Sequence, residues 1–293
     1  MEVIIHTPNF YLHLADAMVF IQYCINGLIE FSSQIKLYIV FFSIAFIFGC
    51  IWGSFSNVCI HRIPDNISVI TGRSHCPQCK KKIKWYDNIP LLSFIFLRAK
   101  CRDCLAKINF KYFIIELFSA LSFVFIFYLF GFTLTTLLFF VLIIGFIIIF
   151  FIDLKHFIIP NEITYPLMLV GFLKSFDPNL NIYLFPNFIN SIVGGLFGYI
   201  LIWLIIFIYK KLRNIEGMGL GDAKLLSVIG FWFGWVSIPF VIFFSSAVAL
   251  IIVIPDLIKN KKKLSSQIPF GPYLITGCII FLFFNNQIKL FLN

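Results

Sequence analysis

The chain has 293 residues, of which 60% are hydrophobic and 12% are charged, and its mean hydropathy is +0.97. Soluble domains carry about 25% charged residues, so this composition excludes a protein that water surrounds on all sides. The net charge of +10 would suggest nucleic-acid binding in a soluble chain, but basic residues are also typical of the cytoplasmic loops of membrane proteins.

Apolar runs along the chain predict an all-α polytopic membrane protein with about eight transmembrane helices, because roughly 20 apolar residues cross a bilayer. The predicted spans are residues 37–60, 112–130, 133–152, 160–176, 188–209, 223–236, 237–258 and 272–291. Residues 1–36 form an N-terminal extension, which we expect to be an amphipathic surface helix or another non-spanning segment. We expect no cleavable secretory signal, because the chain has no positive region before its first apolar stretch.

The distribution of Lys and Arg predicts the orientation of the chain. All but three of the 23 basic residues fall on one side of an eight-span protein, the exceptions being Lys36, Lys174 and Lys289. The positive-inside rule puts that side, which includes the polar segment 61–111, in the cytoplasm and both termini outside. The positive-inside rule therefore accounts for the net positive charge without nucleic-acid binding. We expect membrane lipid as a partner and no nucleic acid.

Four of the eight cysteines cluster in the segment 61–111, and the other four lie in apolar stretches. Cys76 and Cys79 form one C-x2-C pair, and Cys101 and Cys104 form a second. Two such pairs can supply four thiolates to one tetrahedral Zn²⁺, with no open position for catalysis. The alternatives are two disulfides, which a reducing cytoplasm disfavours, or a redox pair, which needs only one C-x2-C.

Two acidic residues lie at the ends of predicted spans and at matched depth. Asp153 ends the third span and Asp222 opens the sixth, so both lie near the cytoplasmic face. A charged Asp costs on the order of 3 kcal/mol at the bilayer centre and less near the interface, so such acids usually face a cavity or a partner. Two carboxylates that share one proton are the working groups of aspartic proteolysis. Gly219 and Gly221 would let an extended substrate approach closely.

Each of these acids also has a structural interpretation. Asp222 could be the N-cap of the sixth helix. Asp153 could be an interfacial acid that Lys155 and His156 balance. Glu116, one turn into the second span, could support the site or pair with a nearby Lys.

Several motifs occur together along the chain. They are His61-Arg62-Ile63-Pro64, Cys76-Pro77-Gln78-Cys79, Trp85-Tyr86-Asp87-Asn88-Ile89-Pro90, Cys101-Arg102-Asp103-Cys104, Glu116, Asp153 with Ile159-Pro160, Gly219-Leu220-Gly221-Asp222-Ala223-Lys224, and Ile268-Pro269-Phe270-Gly271-Pro272. With these motifs the sequence resembles the type IV prepilin peptidases, the leader peptidase/N-methyltransferase family that serves type IV pili, type II secretion and competence. The resemblance covers about residues 40–280.

The resemblance implies a multi-pass aspartyl endopeptidase of the bacterial inner membrane, with an active site that faces the cytoplasm. It implies cleavage of prepilin and pseudopilin leaders, followed by N-methylation of the new N-terminus with S-adenosylmethionine. The residues that it assigns are the aspartates Asp153 and Asp222, the active-site loop residues Gly219, Gly221 and Lys224, and the zinc ligands Cys76, Cys79, Cys101 and Cys104. No S-adenosylmethionine-binding motif is legible, so the methylation residues stay unassigned.

The predicted organisation is an extension at 1–36, a first span at 37–60, a zinc-binding segment at 61–111 and a helical membrane protease core at 112–293. An ion-coupled transporter that uses Asp153, Asp222 and Glu116 as relays is the alternative function. The chain lacks the inverted repeats that many transporters carry. An inactive zinc scaffold for pilus assembly is a further alternative, which would not require both aspartates.

Overall fold

The fold is known from a computed structural model that describes residues 10–182, 185–213, 219–258 and 268–292. These ranges are helical apart from the loops and most of residues 61–111, which are called the Cys-rich segment below. The α-helices, in chain order, are α1 Phe10–Arg62, α2 Leu92–Phe96, α3 Phe110–Phe130, α4 Leu134–His156, α5 Asn161–Leu173, α6 Phe188–Arg213, α7 Leu220–Phe233, α8 Ser237–Ile258 and α9 Gly271–Leu292. The prediction of an all-α polytopic membrane protein is confirmed.

Five helical stretches in the described part of the chain are long and apolar enough to cross a membrane. They are Lys36–Arg62, Phe110–Phe130, Leu134–His156, Phe188–Leu212 and Ser237–Pro255, and Gly271–Asn285 is a shorter apolar helix. All eight predicted spans fall on helices, but α5 and α7 have only 13 and 14 residues. A count of eight membrane crossings therefore stays a prediction. α1 begins at Phe10, 26 residues before the first of these stretches. Residues 10–35 and the first span therefore form one unbroken helix.

The short helix α7 lies at the centre of the bundle. Fourteen residues extend about 21 Å, less than the roughly 30 Å of a hydrocarbon core. The side chains of Leu225, Leu226, Val228 and Ile229 have no exposed surface. A helix that is apolar and buried on all sides belongs to a core, so α7 is packed among other helices instead of facing lipid.

Glycines let α6 and α7 approach closely. A Cβ atom at Gly194 would collide with the backbone of Gly230, and one at Gly198 would lie 2.7 Å from the carbonyl oxygen of Leu226. Small residues at such crossings are the usual means by which membrane helices pack. The contact fixes α7, whose first turn carries Asp222.

The other end of α7 is held by a buried lysine. Lys174 is 5% exposed, and its Nζ donates a hydrogen bond of 2.8 Å to the backbone carbonyl of Trp232. The same Nζ lies 3.9 Å from the centre of the Phe185 ring. A cation at the C-terminus of a helix satisfies its free carbonyls and opposes its dipole. No pattern in the sequence predicted this role for Lys174.

The Cys-rich segment lies between α1 and α3, which pack tightly together. A Cβ at Gly49 would lie 2.7 Å from the Cα of Ala120, and one at Gly53 would lie 2.8 Å from the Cα of Glu116.

Each Cys pair forms a small knuckle, in which a backbone N–H donates to the carbonyl oxygen of the first cysteine. The donor is the N–H of Lys80 for Cys76 and the N–H of Leu105 for Cys101.

Candidate active site

Asp153 lies in the last turn of α4 and is buried. The predicted apolar run stops at residue 152 with Asp153 at its end, and the helix continues beyond the aspartate to His156. The side chain is 4% exposed, and its Oδ2 accepts a hydrogen bond of 2.9 Å from the backbone N–H of Gly271. This N–H is the first of α9, where free amides and the helix dipole favour an anion. Burial and this bond distinguish Asp153 from an interfacial acid balanced by solvent-facing neighbours.

Asp222 lies in the first turn of α7, with 8% of its surface exposed. The helix begins at Leu220, and its N-cap is Gly219, which makes no side-chain cap hydrogen bond. The interpretation of Asp222 as an N-cap is therefore wrong. Its carboxylate instead lies at the N-terminal end of a short helix, near the positive pole of the dipole.

The two aspartates are brought together by three converging chain segments. Both aspartates adjoin segments that contact the same side chain, Ile159. Ile159, in the turn after α4, contacts the first turns of both α7 and α9. A Cβ atom added at Gly221 would lie 2.9 Å from the Cβ of Ile159, and a Cβ added at Gly271 would lie 3.2 Å from the Cδ1 of Ile159. The C-terminus of α4 and the N-termini of α7 and α9 therefore meet at one place and carry two buried carboxylates.

Lys224 and Gly219 border this site. The Nζ of Lys224 donates a hydrogen bond of 2.7 Å to Oδ1 of Asn161, the first residue of α5, and lies 5.4 Å from the centre of the Tyr165 ring. It therefore ties the start of α7 to the start of α5. Within the part of the chain that the structure describes, the atom nearest to a Cβ at Gly219 would be the backbone nitrogen of Gly221, 3.8 Å away.

Glu116 belongs to a different cluster. Its Oε2 accepts a hydrogen bond of 2.8 Å from the backbone N–H of Leu91, which connects α3 to the Cys-rich segment. On the side of α1, a Cβ at Gly53 would lie 2.8 Å from the Cα of Glu116. Among the described contacts none joins Glu116 to Asp153 or Asp222.

The four clustered cysteines fit a zinc site. Their Sγ atoms all lie within 4.8 Å of one another, and those of Cys76 and Cys104 are 3.8 Å apart. Four sulfurs around one Zn²⁺ are separated by about 3.8 Å when the Zn–S bonds are near 2.3 Å. All four thiols are free, which gives no support to the disulfide alternative.

Polar groups surround the two knuckles. Backbone N–H groups of Cys79 and Gln78 lower the pKa of the Cys76 thiol to about 7, whereas burial and the neighbouring thiols raise the pKa of Cys104 to about 11, so the zinc assignment rests on the geometry of the sulfurs. Arg102, inside the second pair, forms a bidentate contact of 2.9 and 2.6 Å with Asp87 and lowers the pKa of that carboxyl. The ion pair holds the second knuckle against the chain that follows the first.

Three site residues escaped prediction from the sequence pattern. Gly271 and Ile159 lie in motifs that carried the family resemblance, and Asn161 follows the Ile159-Pro160 motif, but nothing local assigned these residues a task. Gly271 contacts a residue 118 positions earlier in the chain. The only signal that could have found it is its place at a Pro-Phe-Gly-Pro break, where a helix N-terminus exposes free amides.

Comparison with known proteins identifies the family. The profile of the "Bacterial Peptidase A24 N-terminal domain" matches residues 47–130, and that of the "Type IV leader peptidase family" matches residues 140–254. The first match covers the Cys-rich segment and Glu116, and the second covers both aspartates. No solved structure matches the chain at a significant level.

Curated relatives agree with these matches. A "Prepilin leader peptidase/N-methyltransferase" of Aeromonas salmonicida is 32% identical, over 87% of this chain and 94% of the relative. Proteins of the same name from Pseudomonas aeruginosa and Vibrio cholerae are 31% and 35% identical, over 82% and 84% of this chain and 89% and 97% of the relatives. The chain therefore belongs to the type IV leader peptidase family, as a membrane enzyme with peptidase and N-methyltransferase activities.

Proposed function

We propose that the chain is an aspartyl endopeptidase that cuts the leader from type IV prepilins and pseudopilins, with Asp153 and Asp222 as its catalytic pair. The observation that supports this most is the convergence of these two buried carboxylates at three helix ends. The relatives' names supply the substrate class.

The geometry suits proton sharing between two acids. Two neighbouring carboxylates cannot both ionise easily, so the pair holds one proton. The ionised member takes a proton from a water molecule that attacks the scissile carbonyl, and the protonated member donates to the carbonyl oxygen. Roles then reverse when the amine leaves, so the pair ends the cycle with one proton as before.

The substrate reaches the pair through the glycine side of the loop. No described residue fills the space that a side chain at Gly219 would occupy, whereas a Cβ at Gly221 would lie 2.9 Å from the Cβ of Ile159. An extended substrate backbone can therefore pass Gly219, and Lys224 fixes the start of α7 by its bond to Asn161. We assign these three residues, Gly219, Gly221 and Lys224, to the active-site loop on this basis.

Orientation follows from charge. The basic residues of the Cys-rich segment support an orientation in which 61–111 and the active site face the cytoplasm, in a bacterial inner membrane. In this scheme 37–60 is the first span, 112–293 is the protease core, and 1–36 precedes the catalytic machinery. The same scheme leaves lipid and pilin precursors as partners and no nucleic acid.

Zinc is structural in this proposal. Cys76, Cys79, Cys101 and Cys104 would hold Zn²⁺ with no open position, and the ion would supply folding energy to a segment with few buried apolar residues. S-adenosylmethionine is the methyl donor for the new N-terminal amine. Because this amine has a pKa of about 8, an appreciable fraction is already neutral, and the enzyme has mainly to align it with the donor.

An assay with the purified enzyme in vesicles separates this function from ion-coupled transport. We expect a prepilin precursor to lose its leader, seen as a mass shift of its N-terminal fragment. A transporter would instead carry solute into the vesicles and leave the precursor intact, and that result would refute the proposal.

A further inference from the structure

The part of the Cys-rich segment between the two knuckles packs deep against the transmembrane helices. Leu91 is 8% exposed and lies in one buried cluster with Cys50 of α1 and Ala120 of α3. At 1.5 Å per residue, Glu116 and Ala120 lie about 9 and 15 Å along α3 from its start at Phe110. α3 has 21 residues and is about 31 Å long, close to the thickness of the hydrocarbon core.

The side chains around Leu91 divide into two faces. Phe94 packs inward, with its ring 5.8 Å from that of Phe110 and 5.1 Å from that of Phe113. Leu92, Ile95 and Phe96 point away from the protein and are 51%, 59% and 80% exposed. Their spacing puts them on one face of the single-turn helix α2. Three large apolar side chains on the outside of a segment at this depth are suited to lipid.

Several backbone N–H groups of the segment have the hydrogen-bond partners that a bilayer requires. Non-helical backbone at membrane depth needs a partner for each N–H, because hydrocarbon offers none. The N–H groups of Leu92 and Ser93 bond to carbonyls within the segment. That of Leu91, which has a φ of 59°, bonds to the Glu116 carboxylate at 2.8 Å. A carboxylate inside a span is costly, and here it satisfies a donor that would otherwise be unpaired.

The residues on either side of this segment are typical of a membrane interface. Lys84, Trp85 and Tyr86 precede it, with Trp85 74% exposed, and Arg98 and Lys100 follow it. Amphipathic aromatic rings and basic side chains concentrate at the level of the headgroups. The four cysteines lie outside these residues, so the knuckles close the base of the loop.

From these contacts we propose that residues 89–97 are a re-entrant membrane segment. The segment enters the bilayer from the side of the zinc knuckles, is anchored by Glu116, and presents Leu92, Ile95 and Phe96 to lipid acyl chains. The Cys-rich segment is then partly a membrane element, and Glu116 is a positioning residue for it. This inference is independent of the catalytic role of the aspartates.

Spin labels test the position of the segment in the full-length, zinc-loaded protein. Cys24, Cys50, Cys59 and Cys278 are changed to Ala, the zinc ligands are kept, and one label is attached at Phe96→Cys. Ile70→Cys, 90% exposed in the polar stretch before the knuckles, is the matched water-facing control. Phe125→Cys, 45% exposed in α3, is the lipid-facing control. The protein is reconstituted in phosphatidylethanolamine and phosphatidylglycerol vesicles.

The measurement compares collisions of the label with oxygen, which concentrates in lipid, and with a neutral nickel chelate, which stays in water. We expect the oxygen-to-nickel ratio at position 96 to match that at position 125 and to exceed that at position 70. A ratio equal to that at position 70 would overturn the proposal. Low collision rates with both reagents would also overturn it, because they would mean that protein covers this face.

Glu116 variants test the anchor. Glu116→Gln keeps an oxygen that can accept from Leu91, whereas Glu116→Leu removes it. With the label at position 96, we expect the oxygen-to-nickel collision ratio to fall in Glu116→Leu and to stay unchanged in Glu116→Gln. Equal zinc content in both variants serves as the check on folding. An unchanged ratio in the Leu variant would overturn the anchoring role of Glu116.

Discussion

A methyl group at position 271 should damage catalysis with little effect on folding. The N–H of Gly271 donates to Oδ2 of Asp153 over 2.9 Å, and an added Cβ would lie 2.7 Å from that same oxygen. Real Cβ atoms do not tolerate such a distance, so the carboxylate must move. Loss of a hydrogen bond to a charged group costs about 1.5 to 3 kcal/mol. If the transition state bears this cost, Gly271→Ala should slow cleavage by about 10- to 150-fold.

The matched control is another glycine that faces a movable side chain. A Cβ at Gly145, in the same helix as Asp153, would lie 2.5 Å from Cδ1 of Leu167, the end of a flexible side chain remote from the carboxylates. Gly145→Ala should therefore lower thermal stability at least as much as Gly271→Ala while it keeps most of the cleavage rate. The assay is the initial rate of leader release in vesicles, together with the melting temperature. Equal rates for the two variants would refute the reasoning.

Three further predictions concern other parts of the molecule. Changing Cys76 and Cys79 together to Ser should remove about one Zn²⁺ per chain and make the 61–111 segment more sensitive to protease, because metal binding here is folding free energy. Metal analysis that finds no zinc in the parent protein, purified without chelator, would contradict this. Asp222→Asn should still transfer methyl groups from labelled S-adenosylmethionine to a pilin supplied already cut, because methyl transfer needs an aligned amine and no carboxylate pair. Loss of transfer in the folded variant would mean one shared site. Lys174→Met should reduce the free energy of unfolding by about 1 to 3 kcal/mol, because it leaves the Trp232 carbonyl without its donor. An unchanged denaturation midpoint would show that this bond contributes nothing.

Much of the site could be predicted because its signals are local. The two C-x2-C pairs fix the ligand types and spacing of a metal site, and hydropathy puts Asp153 and Asp222 at matched ends of two spans. Both follow from neighbours in the sequence. The family motifs then add the chemistry of the pair.

The rest depends on contacts between distant segments. The bond from Gly271 to Asp153 joins residues 118 positions apart, and no local pattern encodes it. The stretch 89–97 is too short for hydropathy to detect as a membrane element, since about 20 apolar residues define a span. In the sequence, Lys174 counted only as one of three basic residues on the side opposite the cytoplasm, whereas the structure buries it at the end of α7. The burial of this lysine could be predicted only if its partner, the Trp232 carbonyl 58 positions later in the chain, were already known.

The most direct test of the catalytic pair is the cleavage rate of three Asp→Asn variants in the same vesicles. Asn keeps the shape of the side chain but cannot exchange a proton. Asp153→Asn and Asp222→Asn should each lose leader release while they remain folded, and Asp65→Asn, whose side chain is exposed before the first knuckle, should cleave at the parent rate. Mass spectrometry of the precursor N-terminus is the readout. Cleavage near the parent rate by either Asp153→Asn or Asp222→Asn would contradict the account.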